Sequence, residues 1–307
     1  MKFTVCFVIT HTYLCRLRVA LASLRRFHPQ VRAFVLAIDD LGLYDAEADA
    51  LTSFVGFKEV GFNPNDLLTL FEKYNGFEIA CIMKAKIAQY ALRTATEPIT
   101  FYLDADLFFT SQLDPVVRQL AGHSFLLTPH FVDVHAAEDP NLLAELLTTE
   151  AQVVATGLYN MGFFGVRRSS EGFKILDWWL RRSLFHCKKD LAYGFYDDQK
   201  WMDQAPVLFS GIRIDKNPGL NVGFWNLRER ELSLKNGRYM VHGLPLIFFH
   251  FSQFNPLQPY KLAQHGPWRV SQLPHLGGLV ETYREALLAS GFNRRAFEPP
   301  GLTIRTI

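Results

Sequence analysis

At 307 residues the chain is about twice the length of an average domain, long enough to bury a sizeable core as one large domain or two small ones. Hydrophobic residues make up 49% and charged residues 20%, the balance of a soluble globule, which excludes disordered, collagen-like and coiled-coil classes. The 32 basic and 30 acidic residues leave a net charge of +2 with no basic stripe, so nucleic acid is not expected as a partner.

The first 130 residues alternate strand-like and helix-like patterns, as a sheet with crossover helices does. Residues 3–9 read as a buried strand. A helix follows, with Leu14, Leu17, Leu21 and Leu24 on one face and Arg16, Arg18, Arg25 and Arg26 mostly off it. Residues 33–38 form a second strand ending at Asp39-Asp40; 45–54 read as a helix, 57–61 as a short strand, and 78–94 as a helix striped by Ile79, Met83, Ile87 and Tyr90. Residues 99–103 are then a strand that stops at Asp104. The second half is punctuated by Pro and Gly, so its elements are shorter; 163–166 and 246–249 read as strands, 169–185 as an amphipathic helix, and 276–290 as the helix of a wrapping tail. The picture is an α/β nucleotide-binding half (1–130) joined without a flexible linker to a less regular half (131–260), with 261–307 as an extension packed on the domain.

Cys6, Cys15, Cys81 and Cys187 are widely spaced and are expected as reduced, buried thiols rather than a disulfide framework or zinc site. No stretch has the roughly 18 apolar residues of a membrane span, and the N-terminal run lacks a cleavage site. A cytoplasmic location follows as the default, with peripheral contact at the inner face of a membrane left open through Trp178, Trp179 and other aromatics. Aromatic content of 14% exceeds what such a core needs, so some rings are expected to line a pocket.

The strongest chemical signal is Phe101-Tyr-Leu-Asp-Ala-Asp-Leu-Phe-Phe109, two carboxylates one residue apart where an apolar strand ends. Ligands of open α/β sheets bind outside the carboxyl ends of strands, so Asp104 and Asp106 stand where a site is expected. Hard oxygen ligands with open positions suit Mg²⁺ or Mn²⁺ holding a diphosphate.

In layout the sequence resembles the GT-A fold glycosyltransferases, and among them the retaining enzymes of the glycogenin and bacterial lipopolysaccharide galactosyltransferase type. The resemblance rests on the first strand, Asp39, Asp104-Ala-Asp106, Tyr159-Asn-Met-Gly-Phe-Phe-Gly-Val166, Asp197-Asp-Gln-Lys-Trp-Met-Asp203 and Phe249-His-Phe-Ser-Gln-Phe-Asn-Pro256, in the family's order over residues 3 to 260. It implies a mixed sheet flanked by helices and transfer of a sugar from a nucleoside-diphosphate sugar, with uridine as the expected base, to a saccharide or glycolipid hydroxyl in surface polysaccharide assembly. Asp104, Asp106 and His250 would bind the cation, and an imidazole ligand favours Mn²⁺ over Mg²⁺. Ile9, Thr10, His11 and Thr12 would hold the nucleotide, with Asp39 on the base or ribose. Lys84, rather than Lys86 two positions on, would face the donor. Asn160, expected before a turn at Gly162, and Asp198 and Gln199 would act at the sugar, with one of Asp197 and Asp198 capping the next helix. The chain departs from the family where a Gly and a Lys-Pro normally follow the histidine: Gln253 and Asn255-Pro256 stand there, so the diphosphate contact has to come from elsewhere, Lys261 being one candidate. Acceptor surfaces are sought in 129–160, 218–225 and around Trp268.

Inversion would instead need a general base, for which Asp203 and Glu229 are candidates. A haloacid-dehalogenase-type phosphatase would use Asp104 as nucleophile, but its motif normally stands near the N-terminus. A sugar-1-phosphate nucleotidyltransferase would need a Gly-rich basic loop after the first strand, which is absent, and a non-catalytic sugar-nucleotide-binding protein would not need all of Asp104, Asp106 and His250.

Overall fold

The structure is a computed structural model and describes residues 1–133, 138–273 and 275–292. The fully apolar β1 (Thr4–Ile9) runs into α1 (Leu14–Arg25), whose leucine face packs back on the sheet, and then into β2 (Arg32–Ala37) and β3 (Thr52–Val55). After α2 (Pro64–Lys73) comes α3 (Gly76–Thr94), started by a capping box between Asn75 and Glu78, then β4 (Ile99–Leu103), β5 (Leu107–Phe109), α4 (Asp114–Leu120) and β6 (Phe125–Pro129). The second half adds α5 (Pro140–Thr156), β7 (Tyr159–Arg167), α6 (Ser170–Phe185), the single turn α7 (Ala205–Leu208), β8 (Ile212–Ile214), β9 (Val222–Gly223), β10 (Leu232–Lys235), β11 (Arg238–Val241), β12 (Leu244–Pro245), β13 (Phe248–His250) and α8 (Gly277–Ala289).

Seven strands form the main sheet in the order β3-β2-β1-β4-β7-β6-β8. The four on one side are mutually parallel, and β7 is antiparallel to both β4 and β6, so the sheet is mixed. Apolar layers cover both faces, one under α3 and α6 and the other under α1 and α4. Much of the phenylalanine content is spent here: Tyr102 and Phe125 both stack on Phe164 at 5.1 and 5.2 Å, and Phe101 stacks on Phe163 at 5.5 Å.

A small second sheet decides where the site forms. β5 follows directly on Asp104-Ala-Asp106 and pairs antiparallel with β13, putting His250 opposite Leu107. β9 pairs with β13 on its other side, placing His250 opposite Gly223. A residue 144 positions beyond Asp106 is thereby fixed next to it, with Phe251 N–H donating to the Asp106 carbonyl at 2.9 Å.

Several sequence expectations are corrected. Residues 45–54 are not a helix: a short 3-10 turn, Leu41–Tyr44, is followed by turns and by β3. Residues 57–61 are turns rather than a strand. α2 and α5 were not anticipated; α5 buries Leu146 alone, so its apolar residues carry no clean stripe. Trp179 is fully buried, edge-on to Phe164 at 5.2 Å, and Trp178 is half-buried, so neither is an exposed ring for a membrane. All four cysteines are buried free thiols. In the tail, α8 packs on α1, and Tyr283 stacks on Phe251 at 4.0 Å. Among the described residues no helix is long and apolar enough to cross a membrane.

Candidate active site

Where β4 ends, Asp104 N–H donates to the Gly162 carbonyl at 2.8 Å, locking the carboxylate-bearing loop to β7. The ligand atoms of Asp104, Asp106 and His250 lie within 4.8 Å of one another. Asp104 Oδ1 accepts from the Tyr102 hydroxyl at 2.8 Å, and Asp106 Oδ1 is 3.0 Å from His250 Nε2. Burial works against ionised Asp106, but His250 and Arg16 outweigh it and hold its carboxyl below the usual range.

The hydrogen-bond network decides which nitrogen of His250 is free. Asn221 Nδ2 donates to Thr128 Oγ1 at 3.0 Å and to Asn160 Oδ1 at 3.1 Å, leaving Asn221 Oδ1 to accept from His250 Nδ1–H at 3.1 Å. With Nδ1 committed to Asn221, Nε2 is the nitrogen that faces the Asp106 carboxylate; a proton bridges the two in the absence of metal, and a cation between them would take that proton's place. Gly162 makes room for this: a Cβ there would lie 2.5 Å from His250 Cε1 and 2.6 Å from Asp104 Oδ2. The donor set, two hard carboxylates and one oriented imidazole, suits Mn²⁺. Asn221 is thus a positioning residue that sequence reasoning missed, having treated 218–225 as an acceptor surface. Its φ of +56° suits glycine, so Asn221→Gly removes the amide without strain. We expect Mn²⁺ affinity to fall about ten- to a hundredfold in that variant, read by the spectroscopic signal of free Mn²⁺.

The cluster lies on one wall of a cavity of about 1100 Å³ at the carboxyl edge of the sheet. Ile9, Thr10 and Thr12 border it, Thr10 and Thr12 sharing a hydroxyl–hydroxyl bond of 2.8 Å. His11 and Asp39 do not border it. Asp39 accepts from His11 N–H and from the Tyr44 hydroxyl, both at 2.6 Å, so it braces the loop, while Asp40 caps the following turn. Tyr13, Phe77, Tyr196 and Trp225 are among the rings that line the cavity. Lys261 and Trp268 do not; the latter donates to the Phe224 carbonyl at 2.8 Å. One buried cation near the Asp106 side of the cluster is Arg16, 5% exposed in the first turn of α1. Gln253, where the resemblance calls for Gly, has φ of +61° and accepts from His265 N–H at 3.3 Å.

Next to the cluster Lys84 lies 3.6 Å from Asp104 and 3.7 Å from Asp198, whereas Lys86 lies over Phe62. Burial disfavours the Lys84 ammonium, yet the two carboxylates outweigh it and raise its pKa above the ordinary lysine value. Asn160 belongs to β7 itself rather than to a turn. Its Oδ1 accepts from Gly162 N–H at 3.0 Å and its Nδ2 donates to His130 Nε2 at 3.3 Å, leaving one N–H for a ligand. Burial drives His130 down to about 4, so it is a neutral acceptor at pH 7. Gln199 lines the cavity and donates to the Thr156 carbonyl at 2.9 Å.

Neither Asp197 nor Asp198 caps the 3-10 helix Gln199–Gln204 that follows. The Asp198 carbonyl is instead held by Trp179 Nε1–H at 2.9 Å. Burial and the neighbouring Asp198 push Asp197 up to about 6. A raised carboxyl favours the fold while protonated, an advantage complete below about pH 4 and lost as pH rises through about 6. Asp197→Asn is therefore expected to match the wild type in unfolding midpoint at pH 4 and exceed it at pH 8; equal midpoints at pH 8 would contradict the shift.

No model of a known protein family matches the chain. The "Uncharacterized protein YfnF" of Bacillus subtilis (strain 168) is 30% identical over 226 residues, covering 72% of this chain and 70% of that protein. The "Uncharacterized protein YfnD" of the same organism is 22% identical over 286 residues, 88% of this chain and 86% of that one. Among solved structures, the galactosyltransferase LgtC in complex with donor and acceptor sugar analogues superposes with a TM-score of 0.53 at 17% identity, covering 93% of this chain and 95% of LgtC. The glycosyltransferase GlyE of Streptococcus pneumoniae TIGR4 gives 0.52 at 12% identity, covering 99% of this chain and 66% of GlyE. These likenesses make the fold GT-A.

Proposed function

The chain belongs to the family of the Bacillus subtilis protein YfnF, and we propose that it is a metal-dependent glycosyltransferase, moving a sugar from a UDP-sugar to a saccharide or glycolipid hydroxyl with retention. The observation that carries the reading is the meeting of Asp104, Asp106 and His250 on the wall of a cavity large enough for a sugar nucleotide. The GT-A fold supports it. We read residues 1–260 as one catalytic domain, with 261–307 as an extension of which α8 rests on α1.

Asp104, Asp106 and His250 would hold Mn²⁺. A bound divalent cation supplies Lewis-acid stabilisation of the charge that grows on a departing diphosphate. Arg16, buried beside Asp106, adds a fixed positive charge for the same diphosphate in place of the family's Lys-Pro. Ile9, Thr10 and Thr12, which border the cavity, would hold the nucleoside. Lys84, the spare Asn160 N–H, Asp198 and Gln199 orient the sugar ring.

Retention is favoured by where the carboxylates are. Among the described residues, those bordering the cavity are Asp104, Asp106, Asp197 and Asp198. The candidate bases for inversion are engaged elsewhere: Asp203 accepts from Leu158 N–H at 2.7 Å and pairs with Lys200 at 2.9 Å, and Glu229 accepts from Val132 N–H and pairs with Arg230, both at 3.0 Å. The acceptor hydroxyl would then attack from the departure face and give its proton to the leaving phosphate.

Thermal unfolding of the full chain tests the reading, with UDP, UDP-sugars and other nucleoside diphosphates, with and without Mn²⁺, on wild type and Asp106→Ala. A ligand at a hundred times its Kd adds about 2.7 kcal/mol. A shift that needs both Mn²⁺ and Asp106, joined by slow donor hydrolysis, is expected. Phosphomonoester cleavage would turn the reading to a phosphatase using Asp104, and binding without turnover to a non-catalytic protein.

A further inference from the structure

Asp197 is 5% exposed, yet its Oδ1 has no hydrogen-bond partner and its Oδ2 has only a long ion pair, 3.8 Å, to Lys189. It stands beside a second buried carboxylate, Asp198, and its backbone is held at φ of +46°. Each of these features costs stability: an unsatisfied buried acceptor, a like-charge neighbour and a left-handed non-glycine residue. Its side chain makes no capping bond to the helix that follows, and the lysines beside it, Lys189 and Lys84, offset these costs only in part.

The surroundings have the chemistry of carbohydrate recognition. Asp197, Lys189, Phe77 and Tyr196 all border the cavity. The Lys189 ammonium lies 5.2 Å from the Phe77 ring centroid and 5.0 Å from that of Tyr196, and its side chain is 55% exposed, so it can move to meet a ligand. An acceptor-only carboxylate, a mobile donor and two ring faces fit hydroxyls on one edge of a pyranose and its apolar face. Lys84 bridges Asp104 to Asp198, and Asp197 is the neighbour of Asp198 in the chain, so one segment brings both carboxylates to the cavity.

Resting on the transferase reading above, we propose that Asp197 and Lys189 form a specificity subsite that reads the far edge of the donor sugar, selecting a neutral pyranose with a hydroxyl or amide hydrogen to donate to Asp197.

The test separates the sugar's share of binding from that of the nucleotide. Calorimetric titrations of the full chain with Mn²⁺ would use UDP, UDP-glucose, UDP-galactose and UDP-N-acetylglucosamine, on wild type, Asp197→Gly, Asp197→Asn and Lys189→Met. Glycine suits φ of +46° and asparagine tolerates it, so both Asp197 variants are expected to fold. The gain in affinity of the preferred sugar nucleotide over UDP should fall about tenfold in Asp197→Gly, and less in the other two, with UDP itself unchanged. An unchanged gain in both Asp197 variants overturns the subsite, as does parallel weakening of UDP and its sugars, which would mark a structural role. Failure of wild type to bind UDP overturns the transferase reading and this subsite with it.

Discussion

Asp106→Asn is expected to lower kcat/KM for Mn²⁺-dependent donor turnover by about a thousandfold, the equivalent of about 4 kcal/mol of transition-state stabilisation. Asparagine keeps the size of the side chain and one oxygen but loses the charge that binds the cation. It also removes the carboxylate that faces His250 Nε2 at 3.0 Å. The fold should tolerate the change, because Asp106 owes its position to backbone pairing: its carbonyl accepts from Phe251 N–H and β5 continues into the β13 pair whatever the side chain. The metal-free unfolding midpoint is therefore expected to stay within a few degrees of the wild type. Mn²⁺ should cease to raise it in the presence of UDP. A variant that kept turnover within tenfold, with its Mn²⁺ dependence intact, would remove Asp106 from the ligand set.

The parts of this site that could be read in the sequence are those where local pattern and chemistry coincide. Residues 99–103 are an uninterrupted apolar run ending in Asp104-Ala-Asp106, and the run is the strand, Ile99–Leu103. Positions two apart on a helix diverge, so at most one of Lys84 and Lys86 can face the site, and it is Lys84 that faces the two carboxylates. What escaped depends on distant partners. Asn221 orients His250 from 29 positions away, beside the two-residue β9, and His130 meets Asn160 from 30, at the end of the β6–β7 pair; a contact between side chains so far apart in sequence leaves no periodic signal. Arg16 was set aside as the polar side of an amphipathic helix, yet at the start of α1 that side faces the cavity rather than solvent. Asp39 stands at a strand end, where a ribose contact is expected; its hydrogen bonds to the Tyr44 hydroxyl and the His11 amide come from a turn that the sequence pattern does not show. The stretch 45–54 failed for a simpler reason: its Ala and Leu content favours helix, and the pairing of Thr52–Val55 with β2 overrides that propensity.

Two glycines of β7, three residues apart, provide a matched pair that separates damage to the site from damage to the fold. A Cβ at Gly162 would lie 2.5 Å from His250 Cε1, 2.6 Å from Asp104 Oδ2 and 2.9 Å from Asn160 Oδ1, meeting two of the three cluster residues at once. A Cβ at Gly165 would lie 2.6 Å from Phe101 Cε1 and 2.7 Å from Leu120 Cδ2, in the apolar layer behind the sheet. Both substitutions overpack, and each is expected to cost about 1–3 kcal/mol of stability. They should part company in metal binding. In Gly162→Ala the imidazole and the Asp104 carboxylate have to move apart, and both are held, His250 by Asn221 and Asp104 by Tyr102, so relief at one breaks a hydrogen bond at the other. Mn²⁺ affinity should therefore fall by more than tenfold in Gly162→Ala and stay near the wild-type value in Gly165→Ala, measured on the folded fraction at a temperature well below both midpoints. Equal Mn²⁺ affinities in the two variants would mean that the cation does not rely on Asp104 and His250 together, and that the fit of this cluster to a metal is coincidental.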